Sequence, residues 1–385
     1  MKILFTGGGT GGHLFPLIAI AREIRRLSGD PNIKLYYIGP KDKIGALLLV
    51  RESFKINSII SGKIRRYFSP AGFFNSDINL ATLFQNIVDI LFKIPLGFIQ
   101  SFFILLFIRP NLVFSKGGTG SATVVASAKI LGIPIFLHES DIVPGQSNKL
   151  AYKWAKKVFV AFEKTEYFDL SKSIVVGNPI LKEIMEGNNE SAKEIFNLTS
   201  KKPILLFLGG SQGAQAINDF VLSILNNLLK NYEVIHVCGK KKYQDVYEQS
   251  KIILNKDSEK YYHLWEFLDE IPLKHALKAC NFVISRAGSG SIFEIAACGK
   301  PSILIPLPSS ANNHQSKNAY EYAKSGAALI IEQENLSPNF FLEKINYFIS
   351  HPEELENMKN NALRFSKPLA AKAIAREVLE YLNTK

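Results

Sequence analysis

The sequence predicts two α/β domains, each a doubly wound parallel sheet with helices on both faces. Three observations carry that expectation. The chain has 385 residues, about two domains at the usual domain size. Short β-rich runs alternate with helical stretches along its length, the pattern of parallel sheets. A strand–glycine turn–helix block also recurs. MKILFTGGGTGGH at 1–13 resembles PILLFLGGSQGAQ at 203–215, and VFSKGGTGSA at 113–122 resembles VISRAGSGSI at 283–292. Two pairs in the same order imply two similar domains joined near Gly177-Asn178-Pro179. The first is expected over 1–176, completed by a C-terminal helix within 366–385, and the second over 177–365.

In the first half, β-branched and aromatic runs place strands at 2–5, 34–38, 112–115, 133–138 and 157–161. Helical periodicity places helices at 16–27 and 121–131. In the second half, strands are expected at 204–208, 233–238, 282–285 and 302–305. Helices follow at 214–229, 291–298, 315–325 and 370–383. The apolar run at 87–108 is broken by Asp89, Lys93, Pro95 and Gln100. A spanning helix needs about 20 mostly apolar residues, so this run is expected to form one or two helices, partly buried and partly available to a bilayer surface, without crossing it. The opening Met1-Lys2-Ile3-Leu4-Phe5 reaches glycines too soon for an export signal.

Composition narrows the class. With 47% hydrophobic and 21% charged residues the chain can bury sizeable cores, which excludes collagen, low-complexity disorder and disulfide scaffolds. Cys238, Cys280 and Cys298 form no CxxC pair, so they suit a reducing compartment rather than a disulfide framework or zinc ribbon. The net charge is +12, and it is uneven. Residues 1–176 hold 22 Lys/Arg against 11 Asp/Glu, whereas the rest holds 24 against 23. The first half therefore either faces an anionic partner or is simply a soluble, basic surface.

The glycine loops carry the chemistry. Gly7, Gly9 and Gly12 satisfy GxGxxG between a strand and a helix. A dinucleotide site also needs an acid at the end of the second strand, and that strand ends Tyr37-Ile38-Gly39-Pro40. NAD and FAD are disfavoured. Glycines still let backbone N–H groups approach an anionic ligand at a helix start, and Gly209-Gly210-Ser211-Gln212-Gly213-Ala214 repeats the device. The chain has no GK[ST] for a P-loop, no D-x-D for a Mg²⁺–diphosphate and no HExxH for zinc. Two such loops without a redox acid or metal ligands suggest a metal-independent sugar-nucleotide transferase.

The strings GGGTGGHLFP at 7–16, HESDIVPGQSNK at 138–149, GNP at 177–179, GGSQGA at 209–214, SRAGSGSIFEIAACGKPSILIP at 285–306 and NNHQSKNA at 312–319 resemble the motifs of the MurG family. These are the undecaprenyl-diphospho-muramoylpentapeptide β-N-acetylglucosaminyltransferases of glycosyltransferase family 28. The resemblance runs in order from residue 1 to about 380. It implies a GT-B fold, two Rossmann-like domains facing an interdomain cleft. It also implies a UDP-GlcNAc donor, lipid I as acceptor, lipid II as product and no cofactor or metal. The location implied is peripheral, at an anionic membrane surface on the cytoplasmic face of the inner membrane, with cell-wall and division machinery as further partners.

The same resemblance assigns roles. Thr10, Gly11, Gly12, Asp141, Ser211, Gln212, Leu268, Ser289, Gly290, Ser291, Ile292, Phe293, Glu294 and Gln315 would hold UDP-GlcNAc. Glu294 would take the ribose hydroxyls, though a glutamate at a helix start also complements the helix dipole. Leu268 would lie by the uracil or simply pack in the core. Inversion at the sugar needs a base for the acceptor hydroxyl. His13 is the first choice, with Glu139 and Asp141 as rivals. Two departures stand out: Ile180-Leu181-Lys182 follows GNP where the family often has an Arg, and Asp141 replaces an Asn.

A glycolipid synthase or a UDP-GlcNAc epimerase would keep the fold and change the acceptor. A basic nucleic-acid-binding module is the non-enzyme alternative, and the 27 Phe, mostly in apolar runs, argue against it. Because no D-x-D is present, turnover is expected to survive EDTA. Full loss on chelation, restored by Mg²⁺ or Mn²⁺, would contradict the metal-free reading.

Overall fold

A computed structural model of the chain describes residues 1–9, 11–63, 80–210 and 213–384. They divide into two compact units. Unit 1 comprises Met1–Ser140, Pro144–Val176 and Ala371–Lys385, and unit 2 comprises Asp141–Val143 and Gly177–Ala370.

Unit 1 is built on β1 (Lys2–Thr6), β2 (Lys34–Pro40), β3 (Lys55–Ile59), β4 (Leu112–Ser115), β5 (Ile135–Glu139), β6 (Lys157–Val160) and β7 (Ser173–Val175). They pair in parallel in the order β3-β2-β1-β4-β5-β6-β7. Unit 2 has β8 (Ile204–Leu208), β9 (Glu233–Val237), β10 (Tyr262–Trp265), β11 (Phe282–Ser285), β12 (Ser302–Leu304) and β13 (Ala328–Ile330). Their order is β10-β9-β8-β11-β12-β13, again parallel throughout. In each sheet the winding reverses between two central strands, β1 and β4 in one, β8 and β11 in the other. Doubly wound sheets bind ligands at that reversal, outside the carboxyl ends of the strands. All four glycine loops of the internal repeat follow those four strands.

The central strands are apolar on both faces: Ile3, Leu4 and Phe5 of β1 and Leu205, Leu206 and Phe207 of β8 are fully buried. That is what a sheet covered by helices on each side requires. The four strands not anticipated from sequence, β3, β7, β10 and β13, are the four outermost. Their residues are mostly half-buried or exposed, so no continuous apolar run announces them. The first helix, Gly11–Ser28, begins earlier than its apolar period suggested and takes His13 into its first turn. The helix Ala370–Asn383 packs in unit 1. It buries Ile374 and Val378, sets Tyr381 against Phe136 at 5.1 Å and pairs Glu377 with Lys157.

The apolar run forms helices with one buried and one exposed face, as expected, but more continuously than its sequence suggested. Helix Leu80–Val88, a π-helical turn Asp89–Lys93 and helix Ile94–Ile108 follow without a break. The segment Leu83–Ile108 is 26 residues, by length and composition enough to cross a membrane. Of the four residues that seemed to interrupt it, Asp89, Lys93 and Gln100 turn toward the protein, and Pro95 is exposed. Asp89, Gly97, Ser101 and Leu105 are buried, on one row of four-residue spacing in which Lys93 also falls. Asp89 accepts from the Lys63 N–H at 3.0 Å and pairs with Lys93 at 2.6 Å, so Lys93 is not the open cation its sequence position suggested. Gln100 accepts from the Ile60 N–H at 2.7 Å. The opposite face exposes Phe84, Leu91, Phe92, Phe103 and Phe107. Arg65 and Arg66, which precede the run in sequence, lie outside the described residues.

A fully buried polar trio stands behind β8 and β9. Tyr262 Oη and Asn218 Oδ1 lie 2.8 and 3.0 Å from the two ring nitrogens of His236, and Asn218 Nδ2 donates to the Cys238 carbonyl at 3.0 Å. Burial pushes the imidazole down to about 3. Its folded value lies below the ordinary 6.5, so unfolding takes up a proton there as pH falls from about 6.5 toward 3. Wild-type stability should decline over that window, and His236→Gln should show a shallower decline in urea titrations at stepped pH.

Candidate active site

In unit 1 the two glycine loops close on one side chain. Gly7–Gly9 follow β1, and the buried Tyr37 hydroxyl, from the middle of β2, donates to the Gly7 carbonyl at 2.9 Å. A tyrosine on the neighbouring strand thus braces the loop. Gly117–Gly120 follow β4. Gly118 has φ +89°, and a Cβ there would fall 2.7 Å from the Gly8 nitrogen and 2.9 Å from His13 Nε2. On the other flank, a Cβ on Gly8 would fall 2.9 Å from His13 Nδ1. The half-buried imidazole is therefore walled by bare backbone on both sides. Gly11 and Gly12 form the start of the same helix; Thr10 lies outside the described residues.

Glu139 ends β5 and is 3% exposed. Its Oε2 accepts from Asn148 Nδ2 at 2.8 Å and from the Gly145 N–H at 3.2 Å, bonds that hold down the start of helix Gln146–Tyr152. Asp141 belongs to unit 2. There Asn318 bridges the segment, donating from Nδ2 to Asp141 Oδ1 at 2.7 Å and accepting from the Ile142 N–H at 3.0 Å. Gln315 lies on the same helix, His314–Ala323, with its Oε1 accepting from the Leu307 N–H at 3.0 Å.

The other gathering point in unit 2 is the start of helix Ser289–Ala297, after β11. Gly288 caps it in an extended conformation, so the helix starts at Ser289 and Glu294 falls in its second turn, not its first as the sequence suggested. Ile292 and Phe293 point into the core, with Phe293 against Phe365 at 5.4 Å. Gly290 and Ser291 are half-buried. Ser289 Oγ and Asn178 Oδ1 are both buried without a hydrogen-bond partner among the described residues, and Asn178 Nδ2 lies 4.0 Å from where a Gly290 Cβ would stand. Burial raises the Glu294 carboxyl to about 7, and it bonds to no described residue. Helix N-termini of this kind attract anionic and strongly polar groups.

Arg286, buried in the same loop, is spent on the fold: it donates to the carbonyls of Ile305 and Pro306 and to Gln333 Oε1. Leu268 is buried. Leu181 is buried and Lys182 exposed, so the position of the missing Arg faces the core. Ser211 and Gln212 lie outside the described residues. Tyr37, Asn148, Asn178 and Asn318 were not singled out from sequence. The three asparagines lie inside motif strings quoted above but were given no role of their own, and only burial beside a loop distinguishes them.

The two halves match separate domain models. Residues 3–160 match the glycosyltransferase family 28 N-terminal domain, and residues 204–374 the glycosyltransferase family 28 C-terminal domain. A Clostridium tetani protein named UDP-N-acetylglucosamine–N-acetylmuramyl-(pentapeptide) pyrophosphoryl-undecaprenol N-acetylglucosamine transferase is 37% identical over 366 residues, 94% of each chain. A Clostridium kluyveri protein of the same name is 34% identical over 94% of this chain and 96% of its own. Among solved structures, MurG of Acinetobacter baumannii superposes with a TM-score of 0.70 at 22% identity, covering 98% of this chain and 99% of that one. The UDP-GlcNAc 2-epimerase of Neisseria meningitidis gives 0.68 at 15%, covering 99% and 100%. These two likenesses speak to the fold: both units are halves of a GT-B architecture.

Glu294 yields a test. Its carboxyl titrates near 7 in the folded chain against an ordinary 4.5. Below about 4.5 it is protonated in both states and stability is unaffected. As pH rises toward 7 the unfolded chain gains by ionising and the folded chain does not. Glu294→Gln should therefore melt like wild type near pH 4.5 and at a higher temperature than wild type at pH 8, read by calorimetric scans.

Proposed function

The chain belongs to glycosyltransferase family 28, and from that premise we propose that it transfers N-acetylglucosamine from UDP-GlcNAc to the C4 hydroxyl of the muramoyl sugar of lipid I, giving lipid II for peptidoglycan synthesis. Relatives named for this transfer match it along nearly its whole length, which supports donor and acceptor together. The single observation that carries the reading in the structure is the helix start at Ser289. A carboxyl and two buried polar atoms without hydrogen-bond partners among the described residues gather there, suited to the hydroxyls and diphosphate of a sugar nucleotide. Unit 2 is accordingly the donor unit and unit 1 the acceptor unit.

The donor is α-linked and the product β-linked, so the anomeric carbon inverts in one in-line displacement. The C4 oxygen bonds to that carbon as its bond to the diphosphate oxygen breaks. His13 takes the hydroxyl proton, since imidazole is the side chain whose ordinary range lies nearest neutrality. UDP departs with the bonding electron pair, and the helix N-termini of unit 2 offset the charge it gains. Ionised Glu294 accepts from the ribose hydroxyls, so UDP affinity rises with pH through about 7.

The chain attaches peripherally to the cytoplasmic face of the membrane through Leu83–Ile108. Asp89 and Gln100 accept from the N–H groups of Lys63 and Ile60 and so hold this segment along the protein, which favours lying in the bilayer surface over crossing it. Lys63 and Arg109 flank the apolar face.

Incubation with UDP-GlcNAc and a short-tailed polyprenyl diphosphate muramoylpentapeptide should give one UDP per acceptor and a β-linked disaccharide. Epimerised UDP-sugar formed without any acceptor would overturn the proposal. In vesicle co-sedimentation, Leu91→Ser with Phe107→Ser should weaken binding by tenfold or more, since each lost apolar insertion removes about 1.5–3 kcal/mol. Added salt should weaken it less. A folded double variant that binds like wild type would exclude this face.

A further inference from the structure

Glu139 lies in a glycosyltransferase loop and is ionisable, yet its geometry does not suit a group that meets substrate. It is 3% exposed, and the Oε2 atom is engaged by Asn148 Nδ2 and the Gly145 N–H. Those bonds lead elsewhere. Asn148, itself 3% exposed, also donates to the His138 carbonyl at 3.3 Å. Its side chain lies flat against Gly117, where a Cβ would stand 2.4 Å from Asn148 Oδ1. Its neighbour Ser147 accepts the Gly118 N–H on Oγ at 3.0 Å. Gly118 is the wall of the His13 imidazole.

We propose that Glu139 is a positioning residue for the transfer. It fixes the first turn of helix Gln146–Tyr152, whose Ser147 and Asn148 clamp the second glycine loop, and that loop sets the plane of the His13 ring. This rests on the reading of His13 as the base. The fit explains why the loop carries glycines at both positions. A side chain on Gly117 would displace Asn148, and one on Gly118 would displace the imidazole or the first loop. It also explains why an acid stands at the end of β5. A carboxylate oxygen can accept the amide and the backbone N–H together, and a charged acceptor shortens and strengthens both bonds. A base misplaced by about 1 Å costs on the order of 10²-fold in rate.

The full chain is assayed with UDP-GlcNAc and the short-tailed acceptor across pH, with UDP affinity measured by calorimetry. Glu139→Ala and Asn148→Ala should each lower kcat about 10²-fold and leave UDP affinity unchanged, a split that general misfolding would not give. Glu139→Gln keeps an oxygen for Asn148 and should recover most of the lost kcat, with the acidic limb of the pH profile in place. Ser147→Ala, the mildest change, should lower kcat several-fold. If Glu139→Gln is as slow as Glu139→Ala while UDP still binds, the carboxylate acts on substrate directly and the relay is wrong. Wild-type kcat in Glu139→Ala beside an inactive His13→Gln would overturn the relay alone. Wild-type kcat in His13→Gln would overturn the base assignment and the relay with it.

Discussion

Parallel strand pairing is the constraint on which the rest of this molecule depends. A strand and its parallel neighbour must be joined by a crossover, and every crossover here leaves from the same edge of its sheet. The carboxyl ends of β1, β4 and β5 are therefore gathered on one edge of unit 1, and those of β8 and β11 on one edge of unit 2. Because the winding reverses between the central strands, the helices after them diverge to opposite faces and leave room between their starts. Glycine is tolerated there, and chemistry with it. The internal repeat noticed in the sequence is the consequence: each unit solved the same geometric problem with the same two turns.

What sequence conveyed follows from burial. Strands covered on both faces must be apolar throughout, so β1, β4, β8 and β11 were legible, and so were the loops that follow them. The outer strands β3, β7, β10 and β13 have only partial cover, and a run such as Ser173-Ile174-Val175 resembles any surface segment. The apolar helix at Leu83–Ile108 was foreseen, but its inward row was not, for a related reason. Composition counts Asp89, Lys93 and Gln100 as interruptions, whereas the spacing of 89, 93, 97, 101 and 105 already marks one inward row. In the site, His13, Glu139 and Glu294 were visible as residue types. The roles of Tyr37, Asn148, Asn178 and Asn318 were not, because a single amide or phenol leaves no periodic trace.

The acids of the two units are used in opposite ways. In unit 1 the Glu139 Oε2 atom is engaged by internal bonds and holds backbone in place. At the start of helix Ser289–Ala297 in unit 2, the carboxyl of Glu294 bonds to no described residue, and Ser289 Oγ and Asn178 Oδ1 have no hydrogen-bond partner among the described residues. Leaving such groups unmet costs about 1–3 kcal/mol each in a folded chain, a cost that a protein tolerates where a ligand will supply the missing bonds. Rigidity and readiness are thus separated between the units.

Helix Ala370–Asn383 carries a consequence for how the protein comes into being. Domains usually fold in the order in which a ribosome delivers them. Here unit 1 needs Tyr381 against Phe136 and Glu377 beside Lys157 to close its sheet, and the ribosome makes those residues after all of Gly177–Ala370. The second unit has its whole sequence first. The nascent first unit waits, with Phe136 and its neighbours uncovered and the apolar face of Leu83–Ile108 already outside the exit tunnel. For that interval the growing chain presents two apolar surfaces at once, the condition in which a nascent chain is most exposed to aggregation and most in need of a chaperone.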